Sequence, residues 1–521
     1  MQKQLSLRLV LVAMLVWLAG SALQALTALA PEPIVYAVRF PSPDTHYAEV
    51  EAAIPTGRHA SIELMMPVWS PGFYRVEDYA SRVESLSARA PDGKTLEVEK
   101  PRKNRWMIRT SGASQVIISY RLLCNGRSVT TNWVGADLLV LNGAAAFITL
   151  AEQSRRPHEV RLELPANWKQ AMTGLEAAPG GLPNHFRAAD YDTLVDSPIV
   201  AGELFVREFD VESSRHYVVD AGEFKQWDSQ RSAQDLEKIV RETRRFWGFL
   251  PFKKYVFLNV FRQGGGGLEH KNSTLLTSSP RAPTPTFRWL AFVSHEYFHA
   301  FNVKRLRPVE ISTFDYERPP QTASLWVSEG LTSYFGELIV CRAGLGNPQD
   351  CLAALSSHIT SLQNSPGRLL QTLEQSSLDV WDSGTSGVGR DTATKVSYYV
   401  KGPVVGFLLD AKIQRATGGK KSLDDVMRLG YKRYAGARGF TPEQFRKTAE
   451  EVAGVDLKEW FRKTISSVEE LDYAEALDWF GLRFATADGQ QPSPNWKLEI
   501  REDTTEAQKR RRQVWLGQVG K

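Results

Sequence analysis

The residues best suited to chemistry stand close together, in the run His-Glu-Tyr-Phe-His at positions 295–299. Residues four apart lie on one face of a helix, so the imidazoles of His295 and His299 can reach a single ion. Glu296 stands beside that ion, where it can take a proton from a water molecule. A second helical pattern supplies Glu329 as the expected third ligand. This spacing predicts a zinc hydrolase with Glu296 as the general base.

The predicted ligand set is that of a catalytic zinc site. Two histidines and one carboxylate leave one coordination position open for water, whereas structural sites are closed by four protein ligands. The pattern arises by chance in roughly one chain in a hundred of this composition. For Glu296 one alternative stays open, a carboxylate that only orients a histidine. We therefore expect one zinc ion, bound by His295, His299 and Glu329.

A run of glycines at 264–267 follows a β-type segment at 255–261 and leads into Glu269. Glycines after a strand let a substrate backbone approach the edge of a sheet, which makes Gly266 and Gly267 candidates for substrate binding. Glu269 would add a carboxylate to a cleft that already holds a cation. One purpose of such a residue is to bind the free α-ammonium of a peptide. The residues alone do not decide between this role and a solvated loop glutamate.

Two adjacent tyrosines, Tyr398 and Tyr399, complete the set of candidates. Zinc peptidases need a second electrophile opposite the metal as an oxyanion develops, and a tyrosine hydroxyl can supply it. The residues alone do not prefer one tyrosine to the other, and packing in the core is the alternative for both. Core packing is also the favoured interpretation of the aromatic segment at 67–74, ahead of a binding surface.

The chain around these residues predicts an α+β protein of several domains. Residues 31–205 alternate short β-type segments with turn signals, which is typical of an antiparallel β-sandwich or saddle. Residues 206–345 fit a thermolysin-like catalytic domain, and residues 346–484 predict a helical domain that completes the active site. Within the latter, a stretch rich in Gly, Ser and Asp at 366–393 predicts a surface loop near the cleft. Residues 485–521 are polar and lack periodicity, so we expect a poorly ordered tail.

The composition is that of a folded, multidomain protein. The 521 residues are 42% hydrophobic and 24% charged, and their number exceeds one ordinary core. The formal net charge of +5 is spread over many residues of both signs. Because no stacking-aromatic motif accompanies it, we expect no nucleic-acid partner.

The first thirty residues resemble a targeting segment. Lys3 and Arg8 form a basic region ahead of an apolar run at 9–20, and small residues follow that run. This pattern predicts a signal peptide over 1–30 and hence export to a bacterial periplasm or the extracellular space. An uncleaved anchor is the alternative, and it would be the expected membrane contact.

The three cysteines are Cys124, Cys341 and Cys351, too few for a disulfide scaffold. Cys341 and Cys351 flank a helix-breaking turn and could pair, although their spacing alone does not establish the geometry. Asn272 begins a glycosylation sequon close to the predicted cleft, which is a mild indication of a bacterial source.

Taken together, the motifs resemble the glycyl aminopeptidase family of gluzincins. The similarity spans about 33 to 484 and includes Met-Pro-Val-Trp-Ser-Pro-Gly at 66–72. The motifs near the predicted site are Gly-Gly-Leu-Glu-His at 266–270, His-Glu-Tyr-Phe-His-Ala-Phe-Asn-Val-Lys-Arg-Leu-Arg-Pro at 295–308, Trp-Val-Ser-Glu-Gly at 326–330 and Tyr-Tyr-Val-Lys-Gly at 398–402. This family is a distant relative of the alanyl aminopeptidases.

The resemblance implies an aminopeptidase that removes N-terminal glycine and alanine. It assigns the substrate ammonium to Glu269 and the oxyanion to Tyr399 rather than Tyr398. The implied partners are peptides with a free N-terminus. Members of the family commonly carry a PDZ domain after the catalytic part, and residues 493–521 are too few for that fold. We therefore expect no PDZ-mediated partner.

Two other functions stay open at this point. One is a zinc endopeptidase that has no requirement for an N-terminus, in which Glu269 is incidental. The other is an inactive peptide-binding protein on the same scaffold, and the presence of every expected catalytic group argues against it.

Overall fold

The computed structural model describes residues 31–279, 283–382, 393–487, 491–492 and 495–518. The predicted signal peptide at 1–30 lies outside these residues. Among the helices in the described ranges, none has the length and apolar character needed to cross a bilayer. The protein is a mixed α+β structure, with a β-rich N-terminal half and a helical C-terminal half, as the sequence predicts.

Three sheets make up the N-terminal half. In β8, buried side chains alternate with more exposed ones, so a single face of the strand meets the core. The strands are β1 (Ile34–Arg39), β2 (Tyr47–Pro55), β3 (Ser61–Met65), β4 (Val83–Arg89), β5 (Thr95–Leu96), β6 (Val98–Arg102), β7 (Arg105–Arg109), β8 (Gln115–Leu123), β9 (Trp133–Val134), β10 (Leu138–Leu141), β11 (Thr149–Leu150), β12 (His158–Glu163), β13 (Gln170–Thr173), β14 (Glu176–Ala177), β15 (His185–Ala188) and β16 (Ile199–Gly202). Two short helices, α1 (Gly143–Ala146) and α2 (Tyr191–Val195), lie between them.

The largest of these sheets has eight strands in the order β14-β15-β12-β1-β2-β8-β4-β5. The two four-stranded sheets have the orders β13-β16-β10-β9 and β11-β3-β7-β6. Side chains from all three, including Tyr36, Leu64 and Leu139, share one apolar cluster. This shared core is what holds the β-rich half together.

A five-stranded sheet then supports the motif helix. Its strands are β17 (Phe205–Val211), β18 (Ser214–Gly222), β19 (Lys254–Phe261), β20 (Gly265–Glu269) and β21 (Ser273–Ser278), in the order β17-β18-β19-β21-β20. The glycine run therefore becomes β20, an edge strand that runs antiparallel to β21. Two helices accompany the sheet, α3 (Ser229–Trp247) and α4 (Phe287–Phe298). The hydroxyl of Thr286 caps α4 by accepting a hydrogen bond from the amide of Trp289.

Helices dominate from residue 331 onward. They are α5 (Leu331–Arg342), α6 (Pro348–Gln363), α7 (Leu373–Leu378), α8 (Tyr398–Ala416), α9 (Leu423–Tyr434), α10 (Pro442–Ala453), α11 (Lys458–Thr464), α12 (Ala474–Phe480) and α13 (Glu506–Trp515). Short 3-10 helices occupy Pro43–Thr45, Tyr79–Arg82, Val309–Ile311, Pro366–Leu369, Asp379–Asp382 and Gly436–Arg438. A π-helical turn, Trp326–Gly330, leads directly into α5.

The expected surface loop at 366–393 is largely helical where the structure describes it. Buried Leu373 and Val380 anchor this part of the chain, and residues 383–392 lie outside the described ranges. The Gly and Ser content of the stretch suggested a loop. The burial of two apolar side chains stabilises helical turns there in spite of the low helix propensity of Gly and Ser.

The expectation of a poorly ordered tail is wrong for residues 495–518. Strands β22 (Leu482–Phe484) and β25 (Leu498–Ile500) pair antiparallel, while β23 (Thr486–Ala487) pairs with β24 (Gln491–Pro492). Helix α13 then buries Trp515, whose indole N–H donates to the hydroxyl of Tyr334 at 2.8 Å. A single large aromatic residue anchors this helix, so its sequence has no apolar periodicity from which the helix could be predicted.

Candidate active site

The three predicted ligands converge in the structure. His295 lies in the last turn of α4, His299 caps the end of that helix, and Glu329 lies in the π-helical turn. The two Nε2 atoms are 2.9 Å apart, and Glu329 Oε2 lies 3.1 Å from His299 Nε2 and 3.7 Å from His295 Nε2. The sequence pattern placed Glu329 on an ordinary helix, whereas a π-turn carries it. Such turns are frequent at functional sites.

Hydrogen bonds on the far side of each imidazole orient both lone pairs towards Glu329. His299 Nδ1 donates to the carbonyl of Asn302 at 2.9 Å, so its Nε2 carries the lone pair. Ser333 donates its hydroxyl hydrogen to the carbonyl of Glu329 at 3.0 Å, so its oxygen accepts from His295 Nδ1 at 3.2 Å. Two lone pairs and a carboxylate thus face one point, a donor set that fits zinc.

The buried carboxylates of this cluster favour a positive charge beside them. Burial disfavours a charged imidazole at His299, but the carboxylates of Glu329 and Glu269 outweigh it and raise the pKa of His299 to about 10, so a proton competes with a metal for the Nε2 lone pair. Burial likewise opposes the charge on Glu329, yet His299 and His295 hold its pKa well below the usual range. A bound divalent cation would offset the carboxylate charge in the same way and carries more positive charge than a proton.

Asn302 joins the motif helix to the turn that carries Glu329. Its side-chain amide donates to the carbonyl of Val327 at 2.8 Å and to the hydroxyl of Thr332 at 2.9 Å. The next residue, Val303, has a φ of 98°, a left-handed conformation that a β-branched residue rarely adopts. This turn lets the amide of Lys304 donate back to the carbonyl of His299 at 3.1 Å.

Glu296 is buried against the glycine strand. It is 5% exposed, its Oε2 has no hydrogen-bond partner among the described residues, and burial raises its pKa well above the ordinary value. A Cβ added at Gly267 would collide with Oε1 of Glu296. Gly267 therefore lets β20 lie directly against this carboxylate.

Glu269 is also buried, with 3% of its surface exposed, so the alternative of a solvated loop glutamate is wrong. Its Oε1 has no hydrogen-bond partner among the described residues. Burial raises the pKa of Glu269, against the opposing effect of His299 and Lys304. Gly72, from the N-terminal half, packs against this carboxylate so closely that a Cβ there would overlap it.

The two tyrosines have different surroundings. The hydroxyl of Tyr399 donates to Glu329 Oε2 at 2.9 Å, and burial followed by the charge of Glu329 raises its pKa well above the usual value. Tyr398 lies fully buried in the apolar cluster of the helical half. Of the two, Tyr399 is the one whose hydroxyl bonds to the ligand set.

Tyr74 is a site residue that the sequence did not reveal. Its hydroxyl donates to Glu329 Oε1 at 2.8 Å, a contact between residues 255 positions apart in the chain. The aromatic segment that contains it suggested core packing, and no spacing rule connects it to the zinc motif. Asn302 and Ser333 were missed for a similar reason, because their partners are set by how helices pack.

A small cavity opens beside Glu269. Its volume is about 20 Å³, and residues of both halves of the chain line it, including Trp69, Gly72, Tyr74, Glu269, Val303 and Lys304. A space of this size has room for about one water molecule.

Comparisons with known proteins agree with this arrangement. The Peptidase M61 N-terminal domain matches residues 35–203, and M61 glycyl aminopeptidase matches residues 288–405. An aminopeptidase N family protein from Idiomarina loihiensis is similar in structure, with a TM-score of 0.81 and 26% identity over 86% of this chain and 78% of that chain. No curated protein sequence matches.

More distant structures share the fold. An M1 zinc metallopeptidase from Deinococcus radiodurans has a TM-score of 0.52 and 13% identity, over 85% of this chain and 95% of that chain. A mutant of that enzyme bound to a Tyr-Ser-Ala substrate has a TM-score of 0.52 and 14% identity, with the same coverage.

Proposed function

The chain belongs to the M61 glycyl aminopeptidase family and is a peptidase, and we propose that it removes single small residues from the free N-termini of peptides. One observation supports the requirement for a free N-terminus on the substrate. A buried carboxylate, Glu269, lies beside the ligand set, and its Oε1 has no hydrogen-bond partner within the part of the chain that the structure describes. A buried acceptor of this kind is costly unless a ligand satisfies it, and an α-ammonium group would do so.

His295, His299 and Glu329 would hold one zinc ion. Bound zinc supplies a Lewis acid that polarises the scissile carbonyl and makes water more acidic. The two histidine tautomers and the facing carboxylate oxygen support this assignment.

The other residues divide the remaining work. Glu269 binds the substrate ammonium, and the edge strand at Gly266 and Gly267 offers backbone groups to the substrate chain. Glu296 takes a proton from the attacking water on Oε2, which no group in the described ranges engages, and returns it to the leaving amine. Burial raises the pKa of Glu296, which favours the protonated form that donates to the leaving amine. Tyr399 donates its hydroxyl hydrogen to the developing oxyanion.

The preference for glycine and alanine has support from the size of the cavity at Glu269. The space beside Glu269 is small, about 20 Å³, which is in keeping with a short first side chain. Trp69 and Tyr74 form rigid walls of this cavity.

We also propose that the protein is exported, to a bacterial periplasm or the extracellular space. Cys341 and Cys351 form a disulfide, and such bonds persist in oxidising compartments. Asn272, which begins the glycosylation sequon, donates its side-chain amide to the carbonyl of Gly174 at 2.9 Å. A glycan on this nitrogen would disturb that bond, which favours the bacterial periplasm.

The test compares aminoacyl arylamides with their N-acetylated forms. We expect hydrolysis of the glycyl and alanyl compounds, little hydrolysis of leucyl or phenylalanyl compounds, and none after acetylation. Undiminished cleavage of acetylated peptides would instead identify an endopeptidase. Peptide binding without any hydrolysis by the zinc-loaded protein would identify an inactive binding protein.

Two variants test the residues. Glu269→Gln should lose most kcat/KM on free N-termini, and Glu296→Gln should lose about 10²–10⁴-fold in kcat while still binding zinc. The matched control is Glu203→Gln, whose side chain is 72% exposed and should leave both parameters unchanged.

A further inference from the structure

Tyr74 brings the N-terminal half into contact with the third metal ligand. The residue follows β3 in sequence, is 3% exposed, and donates its hydroxyl to Glu329 Oε1. Neither the zinc motif nor the helices that carry the motif imply that Tyr74 contacts a ligand.

The two oxygens of Glu329 have different neighbours. Oε2 faces His299 Nε2 at 3.1 Å and His295 Nε2 at 3.7 Å, and it also accepts the hydroxyl of Tyr399 at 2.9 Å. Oε1 accepts from Tyr74 at 2.8 Å. The oxygen that faces the imidazoles is thus the one available to a metal, and Tyr74 holds the other.

The surroundings of Tyr74 fix its hydroxyl in place. Its ring packs edge-on against Trp381 at a centroid distance of 5.9 Å. The backbone before it is tied to the catalytic half, since the amide of Val68 donates to the carbonyl of Tyr316 at 2.9 Å. The indole of Trp69 donates to the carbonyl of Asp315 at 2.8 Å. The hydroxyl of Tyr74 is therefore held in place to donate to Glu329 by the packing of its ring and backbone.

A glutamate terminus rotates easily, because its last torsion has broad minima. A fixed donor on one oxygen removes that freedom and decides which oxygen the metal meets. Loss of a group that orients a ligand in this way typically costs about 10–100-fold in metal affinity.

We propose that Tyr74 is a positioning residue, which holds Glu329 Oε1 so that Oε2 alone is presented to zinc. This inference rests on the proposed function. It assigns the two tyrosines at Glu329 separate duties, with Tyr74 serving the ligand and Tyr399 serving the reacting carbonyl.

The experiment compares Tyr74→Phe with Tyr399→Phe in the full-length protein, and Tyr79→Phe is the control. Tyr79 is a buried neighbour in sequence whose hydroxyl bonds to Ser70, away from Glu329. Zinc affinity is measured by competition with a chromophoric chelator, and kcat and KM are measured on a glycyl arylamide. Absorption spectra of the cobalt-substituted proteins report the coordination geometry.

Tyr74→Phe should bind zinc about 10–100-fold more weakly, with an altered cobalt spectrum, because the retained ring still packs on Trp381. At saturating zinc it should keep kcat within a few fold. Tyr399→Phe should keep zinc affinity and lose about 10²–10³-fold in kcat. Tyr79→Phe should match the wild type in all three measurements.

Equal zinc affinity and equal cobalt spectra in Tyr74→Phe and the wild type would overturn the assignment. A wild-type protein that binds zinc but hydrolyses no arylamide would overturn the proposed function and leave the positioning role intact. The two failures are therefore distinguishable.

Discussion

Each of the two acidic side chains proposed to act on the substrate faces a glycine. Glu296 lies against Gly267 and Glu269 lies against Gly72, and neither glycine has room for a Cβ. Glycine in these places keeps the carboxylates close to the backbone of the cleft and leaves their free oxygens unobstructed. At Gly267 the glycine run therefore also makes room for Glu296, the proposed general base, in addition to the substrate approach that its sequence suggested.

A methyl group at Gly267 should disable the enzyme. In Gly267→Ala the new Cβ would displace the carboxylate of Glu296, and a misplacement of about 1 Å can cost on the order of 10²-fold in rate. Steady-state kinetics on a glycyl arylamide measure the loss. Gly265→Ala is the matched control in the same strand, since a Cβ there meets no atom within 4 Å. Equal rates for the two variants would contradict this role for Gly267.

At the scale of elements, two glycines let the π-helical turn and α8 touch. A Cβ added at Gly402 would lie 2.6 Å from the Cα of Gly330, and one at Gly330 would lie 2.7 Å from the Cα of Gly402. This approach brings Tyr399, on the first turn of α8, to Glu329. The spacing of Tyr399 and Gly402 thus has a physical reason, although the residues alone could not tell Tyr399 from Tyr398.

Gly402→Ala should destabilise the protein, because backbone on both sides leaves the Cβ no flexible neighbour to displace. We expect a loss of about 1–3 kcal/mol in the free energy of unfolding, with a lower kcat as Tyr399 moves away. Urea unfolding and kinetics measure the two effects. In Gly430→Ala, within α9, the nearest atom is 3.7 Å away, so this control should gain up to about 1 kcal/mol from helix propensity. Stabilisation by both substitutions would contradict the close contact.

The disulfide between Cys341 and Cys351 joins the end of α5 to the start of α6. Closing a loop of this length should stabilise the protein by about 2–3 kcal/mol through the unfolded chain. We expect the double variant Cys341→Ser and Cys351→Ser to lose that amount in urea unfolding. Thiol titration offers an independent check: one free thiol in the unfolded protein and three after reduction.

In the folded protein the remaining thiol, Cys124, should resist alkylation at pH 8. It is buried, and burial raises its pKa to about 12, which leaves almost no thiolate to react. Alkylation of the native protein at the rate of an exposed cysteine would contradict its burial.

At the scale of the whole molecule, the β-rich half is part of the site. It contributes Gly72 beside Glu269, Tyr74 on Glu329, and Asp196 in an ion pair with Lys304 at 2.8 Å. Local spacing predicted His295 and His299 as a pair of zinc ligands, because both belong to one helix, and a second helical pattern supplied Glu329. It could not predict Tyr74 or Asp196, because their partners lie far along the chain and meet them only in the folded protein. The helical tail was missed for the same reason, since Trp515 packs on residues far away in sequence.

The ion pair at Asp196 should make stability depend on pH. Burial alone would raise the pKa of Asp196, but Lys304 and His270 outweigh it and hold the pKa well below the usual range. A depressed pKa contributes stability that is fully present above the unfolded value of about 4 and is lost as pH falls below it. Asp196→Asn should therefore cost about 3–5 kcal/mol at pH 7, since Lys304 stays buried without its partner.

That cost should shrink by about 1.4 kcal/mol for each pH unit below about 4, because the wild type then loses the same interaction. Urea unfolding of the zinc-loaded protein between pH 7 and pH 3 gives the curve. The double variant Asp196→Asn with Lys304→Met isolates the pair, since removing both charges leaves neither one buried alone. If Asp196→Asn costs as much in the Lys304→Met background as in the wild type, the two residues are not coupled, and this ion pair does not link the β-rich half to the site.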